Sequence, residues 1–88
     1  MSIGSQQITA DGYVSGANPT RVYEIIVKAS AASTVAVKNA NTTEYDSIVL
    51  ADAGISRVVY AGGLLFPGGC YLDVDASLTY ATVIYSRI

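Results

Sequence analysis

The sequence contains no histidine and no tryptophan, and its 88 residues include only one cysteine, one methionine and one phenylalanine. Without histidine, the commonest general base of enzymes is missing. A single cysteine excludes a disulfide within the chain, and one thiol without histidine cannot complete the tetrahedral ligand set of a structural zinc site. These absences predict a protein that is not an enzyme and that holds no cofactor.

Charge is scarce as well. Charged residues make up 14% of the chain, against about 25% in an average soluble domain, while the mean hydropathy is +0.40. The five basic residues are scattered singly and the net charge is −2, so no basic stretch indicates a nucleic-acid partner. No apolar run approaches the ~20 residues of a membrane span, and residues 1–16 lack the pattern of a signal peptide. We expect neither nucleic acid nor membrane as a partner.

A single small domain of this length usually needs disulfides, a metal or oligomerisation for robust stability. Composition excludes a disulfide within the chain and disfavours a structural zinc site, which leaves oligomerisation as the favoured option. With 51% hydrophobic residues, such a chain has more apolar surface than its own fold can cover. We therefore expect a homo-oligomer, or a chain covered by other subunits.

Valine, isoleucine, threonine and tyrosine occur in short runs separated by turn residues, which indicates an all-β protein. The spacing of about 8–12 residues predicts a small antiparallel β-sandwich, jelly-roll-like, of about seven or eight short strands over residues 20–88. The alternative is a small β-barrel. Residues 1–19 are polar and loosely patterned, which predicts a flexible N-terminal arm outside the sandwich.

The clearest strand is TRVYEIIVKA, residues 20–29. Strict alternation predicts that Val22 shares one face with Glu24, Ile26 and Lys28, and that this face meets some water.

Two glycine pairs bracket a short apolar run in GGLLFPGGC, residues 62–70. Neither pair leads into a helix, and the segment matches no phosphate-binding signature, so a ligand loop is disfavoured. The Pro67-Gly68 pair predicts a type II turn with a positive φ at Gly68. We interpret the segment as a structural corner, with Leu64, Leu65 and Phe66 as a core or interface plug.

Few side chains offer chemistry. Cys70 is predicted to be a small buried hydrophobe. Asp73 and Asp75 alternate along one strand and invite comparison with a calcium site, for which Glu44, Asp46 and Asp52 would complete the oxygen shell. No compact calcium-loop motif is present, so a solvated strand face is the favoured interpretation, and no catalytic, cofactor-binding or metal-binding residue is assigned.

Seven tyrosines form a biased aromatic set, and tyrosine suits both protein interfaces and sugar stacking. Tyr71, Tyr80 and Tyr85 lie on strands whose two faces are both partly apolar. We predict that at least one such face meets another chain.

The succession of TRVYEIIVKA, TVAVKN, SIVLAD, a turn before FPGG, CYLDVD and TYATVIYS over residues 20–88 resembles small β-sandwich proteins of tailed bacteriophages, in particular marine and cyanobacterial phages. The resemblance implies a structural virion component made in the host cytoplasm, which fits one free thiol. It implies a capsid decoration (cement) protein or a tail- or fibre-associated protein. Its partners would be the major capsid protein or other virion proteins and further copies of itself, often as a trimer.

Three hypotheses follow: a structural virion protein, a carbohydrate-binding β-sandwich that uses exposed tyrosines with Asp73 and Asp75, and a small enzyme. The first is favoured.

Overall fold

The computed structural model describes residues 3–88, which form eight strands and no helix. The strands are β1 (Ile3–Ile8), β2 (Gly12–Val14), β3 (Thr20–Ala29), β4 (Ser33–Asn39), β5 (Thr43–Leu50), β6 (Gly54–Phe66), β7 (Cys70–Asp73) and β8 (Leu78–Arg87).

The strands form two antiparallel sheets of four, which we call sheet A and sheet B. Sheet A has the order β1-β8-β3-β6, and sheet B has the order β2-β7-β4-β5. The first strand pairs with the last, the second with the seventh, the third with the sixth and the fourth with the fifth. This nesting is the arrangement of a jelly roll, a long hairpin rolled into two sheets. The predicted jelly-roll-like sandwich is confirmed, and the alternative of one closed barrel is wrong because the sheets are separate.

The tip of the long hairpin is the turn between β4 and β5. Ala40 and Asn41 both have positive φ, 55° and 59°, as a type I′ turn requires. The Thr42 amide donates to the Asn39 carbonyl oxygen at 3.1 Å. This turn fixes the register of the start of β5 against the end of β4.

The core lies between the two sheets. Phe66, Ile25 and Leu72 are its largest fully buried side chains. Valines from both sheets fill the space around them: Val14, Val22, Val27, Val35, Val37 and Val83. Branched side chains of similar size interdigitate well across stacked sheets.

Residues 3–14, predicted to lie in an arm outside the sandwich, are part of both sheets. Strand β1 pairs along its whole length with β8, and β2 pairs with β7. Ile8 and Val14 are buried in the core. The polar composition misled the prediction because an edge strand needs only one apolar residue in two to cover a core. Met1 and Ser2 lie outside the described residues.

A β-bulge changes the faces of β3. The register with both neighbouring strands shifts between Val22 and Glu24, so that Tyr23 is the additional residue. Val22 is therefore buried with Ile25, while Glu24 faces outward with Ile26 and Lys28. The prediction that Val22 shares the outward face was wrong because strict alternation fails across a bulge.

The first glycine pair lies inside one long strand. Only Tyr23 of β3 stands opposite residues 60–63 of β6, and Gly62 and Gly63 have φ of 78° and 85°. A Cβ at Gly63 would lie 2.5 Å from Cγ of Arg21. This segment is a large bulge, in which residues 60–63 of β6 stand opposite one residue of β3, and the Arg21 stem packs over Gly63.

The second glycine pair forms the predicted corner. The Gly69 amide donates to the Phe66 carbonyl oxygen at 3.1 Å. The positive φ, 98°, falls on Gly69 rather than on Gly68, so the turn is not the predicted type II. Phe66 is the core plug, while Leu65 is 40% exposed.

Replacing Gly69 with alanine is expected to lower the free energy of unfolding by about 1–3 kcal/mol, because a left-handed φ strains a residue with a Cβ. The added Cβ would also lie 3.1 Å from the Gly16 carbonyl oxygen. The matched control is Gly12→Ala, where a Cβ meets nothing within 4 Å and stability should stay within about 1 kcal/mol of the parent. Urea denaturation measures both variants, and equal stability of the two would contradict the assignment of the turn.

Candidate functional site

The outer face of sheet A is the surface that this sheet turns away from the core. Register and alternation place on it residues from all four strands: Ile3, Ser5 and Gln7 of β1; Tyr80, Thr82 and Ile84 of β8; Arg21, Glu24, Ile26 and Lys28 of β3; Ile55, Arg57, Val59 and Leu65 of β6.

Branched apolar side chains occupy much of this face. Ile26 lies on β3, and Ile84 lies on the neighbouring strand β8, opposite Glu24. On β6, Ile55 and Val59 remain 64% and 60% exposed. Single exposed aliphatic residues are ordinary on protein surfaces. On this face the apolar residues alternate with charged ones: Glu24 stands between Val59 and Ile84, and Lys28 stands between Ile55 and Tyr80.

The charges on this face are mostly basic. It carries Arg21, Lys28 and Arg57, three of the five basic residues of the chain, and Glu24 is the only acidic residue placed on it among residues 3–88. Glu24 accepts a hydrogen bond from Arg57 at 2.7 Å, and its side chain is only 15% exposed. The face therefore has a formal charge of +2. The rest of the chain has two basic and six acidic residues, a charge of −4.

The two edges of sheet A carry little charge. Strand β1 has no charged residue, and β6 has one, Arg57, in 13 residues. The edges of sheet B differ, because β2 has only three residues and β5 carries Glu44 and Asp46. Short or charged edge strands resist pairing with another chain. Sheet A is thus the more open of the two sheets at its edges as well as on its outer face.

The outer face of sheet B is more polar. Lys38 and Asp73 form a salt bridge there at 3.0 Å, and the hydrogen bond to Asp73 raises the pKa of Lys38. Tyr13 and Tyr71 stand opposite each other across β2 and β7, with an edge-to-face contact and 5.1 Å between ring centroids. The exposed apolar residue of this face is Val49, at the edge.

The three tyrosines on the strands predicted to have two partly apolar faces lie on different surfaces of the structure. Tyr80 lies on the outer face of sheet A, and Tyr71 lies on the outer face of sheet B. Tyr85 packs against the core. The exposed aliphatic residues on the outer face of sheet A are isoleucine, valine and leucine, and alternation in β6 is the sequence signal that places Val59 and Arg57 on one face.

The carboxylates considered for calcium do not converge. Asp73 pairs with Lys38, while Asp75 lies beyond the end of β7. Asp46 accepts a hydrogen bond from the Tyr60 hydroxyl at 2.7 Å, which joins β5 to β6, and burial together with this bond raises the pKa of Tyr60. Glu44 and Asp52 are exposed. Within residues 3–88 the structure brings no three histidine, cysteine, aspartate or glutamate side chains together.

Asp75 organises the loop between β7 and β8. Its carboxylate accepts hydrogen bonds from the Thr34 amide at 2.9 Å, the Ser33 hydroxyl at 2.8 Å and the Ser77 amide at 3.0 Å. These bonds, led by that from Thr34, lower the pKa of Asp75. Its role is to hold the loop against the start of β4.

Cys70 lies fully buried in the core at the start of β7. Burial raises the pKa of its thiol to about 12, whereas a reactive cysteine has a lowered pKa and some exposure. The geometry agrees with the predicted structural role.

Comparisons with models of protein families, with curated proteins and with solved structures found no match to this chain. Residues 3–88 contain no helix long and apolar enough to cross a membrane.

In the folded protein at about pH 8, Cys70 is expected to resist thiol reagents, because the buried thiol is protonated and shielded from solvent. Labelling with a chromogenic disulfide reagent should be slow in buffer and complete within the mixing time in denaturant. Rapid labelling of the folded protein would contradict the buried assignment.

Asp75→Asn is expected to lower the melting temperature at neutral pH, because an amide nitrogen facing the Thr34 amide cannot accept its hydrogen bond. The native pKa is the lower one, so the stabilisation is present above the unfolded value of about 3.9 and is lost as pH falls through the native value. The difference between parent and variant should therefore shrink in acid. Asp52→Asn, in an exposed turn, is the matched control. A difference that persists at low pH would contradict the prediction.

Proposed function

We propose that this chain is a non-enzymatic structural protein of a tailed-phage virion, a capsid decoration protein that stabilises the head through protein–protein contacts. The observation that carries the proposal is the outer face of sheet A. Its apolar residues are not needed for the core of the sandwich, and nothing within residues 3–88 covers Ile55 or Val59.

The side-chain chemistry of the described residues supports a role without catalysis. The one thiol is buried, and the acidic residues with internal partners brace strands and loops. A nucleophile needs an adjacent base to be activated, and Cys70, Asp46 and Asp75 are each in structural use. A binding surface is what remains.

The fold is compatible with this proposal at the level of analogy. Jelly rolls recur in viral capsid proteins and in lectins, so the fold alone does not decide between these two functions. The resemblance of residues 20–88 to small phage β-sandwich proteins favours the virion. A tail- or fibre-associated position would use the same surface.

The homo-oligomer that the resemblance implies, often a trimer, would form by association of copies through the unpaired edges of sheet A. Strands β1 and β6 have unpaired outer sides and one charge between them. Edge pairing between copies would bury main-chain donors and acceptors that are otherwise left to solvent.

One observation favours a second candidate, the carbohydrate-binding module. Tyr13 and Tyr71 form an aromatic pair beside the Lys38–Asp73 salt bridge on the outer face of sheet B. Aromatic rings next to polar groups suit sugar stacking. Asp75 would not take part, since its carboxylate is already bonded to the loop. A glycan array discriminates, because a virion protein need bind no sugar.

Virion membership is tested by mass spectrometry of particles produced from the genome that encodes the chain and purified by density gradient. The chain is expected in the particle fraction at a copy number comparable to that of a capsid subunit. Particles made without it should lose their contents at a lower temperature, because a bound partner stabilises by mass action. A non-structural protein of the same genome is the control. Absence of the chain from washed particles would overturn the proposal.

A further inference from the structure

We infer that the outer face of sheet A binds an acidic, partly apolar surface of a different protein. The partner class rests on the proposed function, and the chemistry of the contact rests on the arrangement of this face. The apolar residues require a dry contact, the charges select an acidic partner, and the geometry disfavours a second copy.

The apolar residues of this face differ in their exposure to solvent. Ile26 and Ile84 are half-buried by their neighbours, whereas Ile55 and Val59 project from the edge strand and are more than half exposed. Apolar area removed from water contributes about 25 cal/mol per Å². Side chains of this kind contribute to binding only where the partner is also apolar at the contact centre.

The charged residues of this face select the chemistry of the partner. Lys28 is exposed and stands opposite Ile55 on one side and Tyr80 on the other. Arg21 lies at one end of the face, and the Glu24–Arg57 pair lies between them. A face of charge +2 on a chain of net charge −2 attracts a carboxylate-bearing surface, and such complementarity selects the partner and its orientation.

Charge and geometry disfavour a second copy of the chain as the occupant of this face. Two outer faces of sheet A brought together would place like charges against each other. The outer faces of sheets A and B lie on opposite sides of the sandwich, so contact between an A face and a B face would stack copies without closure. Edge pairing of copies leaves the outer face of sheet A available, so an oligomer and this contact can coexist.

The size of the face also matters. Four strands at about 4.8 Å spacing and about seven residues of length at about 3.3 Å each give a projected area of roughly 450 Å². A stable pair buries about 800 Å² on each partner. One such face is therefore a modest contact, which suits a chain held at several points on a larger assembly.

The test uses two immobilised probes, a copolymer of glutamate and tyrosine and a copolymer of lysine and tyrosine. The full chain is expected to bind the acidic copolymer at least about tenfold more tightly than the basic one, because the face is cationic. Binding should weaken as salt rises.

Two pairs of variants locate the contact. Lys28→Glu and Val59→Asp are expected to weaken binding to the acidic copolymer at least about tenfold. Lys38→Glu and Val49→Asp make the same chemical changes on the outer face of sheet B, where Val49 is 65% exposed against 60% for Val59, and should leave binding unchanged. Circular dichroism verifies that each variant is folded. The salt dependence of the parent chain tests the inference even if one variant fails to fold.

Equal losses in both pairs, or a preference for the basic copolymer, would overturn the inference. So would binding to vesicles of phosphatidylglycerol that depends on Lys28 while the acidic copolymer is ignored, since the occupant would then be a lipid surface. An oligomer that dissociates on Val59→Asp in sedimentation would make the occupant a second copy, which also overturns it. None of these results depends on virion membership, which particle mass spectrometry tests separately.

Discussion

Contact between the inner faces of the two sheets is the interaction on which the rest of the molecule depends. Each strand contributes alternate side chains to that contact, and Phe66, Ile25 and Leu72 fill its centre. Because the strands pair as a nested hairpin, the first strand is needed beside the last before sheet A is complete. Residues 3–14, although largely polar, are therefore structural, because β1 and β2 complete the two sheets.

Backbone irregularities decide which side chains reach that surface. The bulge at Tyr23 turns Val22 inward and Glu24 outward. Opposite it, the large bulge at Gly62 and Gly63 gives room for the stem of Arg21. Bulges of this kind re-aim side chains without changing the sheet order. The two bulges lie side by side on β3 and β6, so together they set which charges lie among the apolar residues of the outer face.

Sequence patterns predicted the all-β class, the sandwich and the burial of Cys70, because each depends on local chemistry. The faces of β3 were predicted incorrectly at Val22, since nothing in TRVYEIIVKA marks where an additional residue enters the ladder. The grouping of Arg21, Lys28 and Arg57 was also missed. These residues are scattered along the chain, and only the pairing of β3 with β6 brings Arg57 onto the same face as the other two. Long-range register of this kind has no local signal.

The composition of the outer face addresses a problem that every exposed apolar sheet creates. A purely apolar face would bind its own copies as readily as any partner, and an open edge beside it would add to that tendency. Basic side chains placed among the isoleucines and valines make contact between two such faces unfavourable while leaving the attraction for an acidic surface. Glu24 does not cancel this effect, because it is largely buried and already paired with Arg57. Under the inference drawn above, the same few charges would limit self-association through this face and select its partner, and three of the five basic residues of the chain lie there.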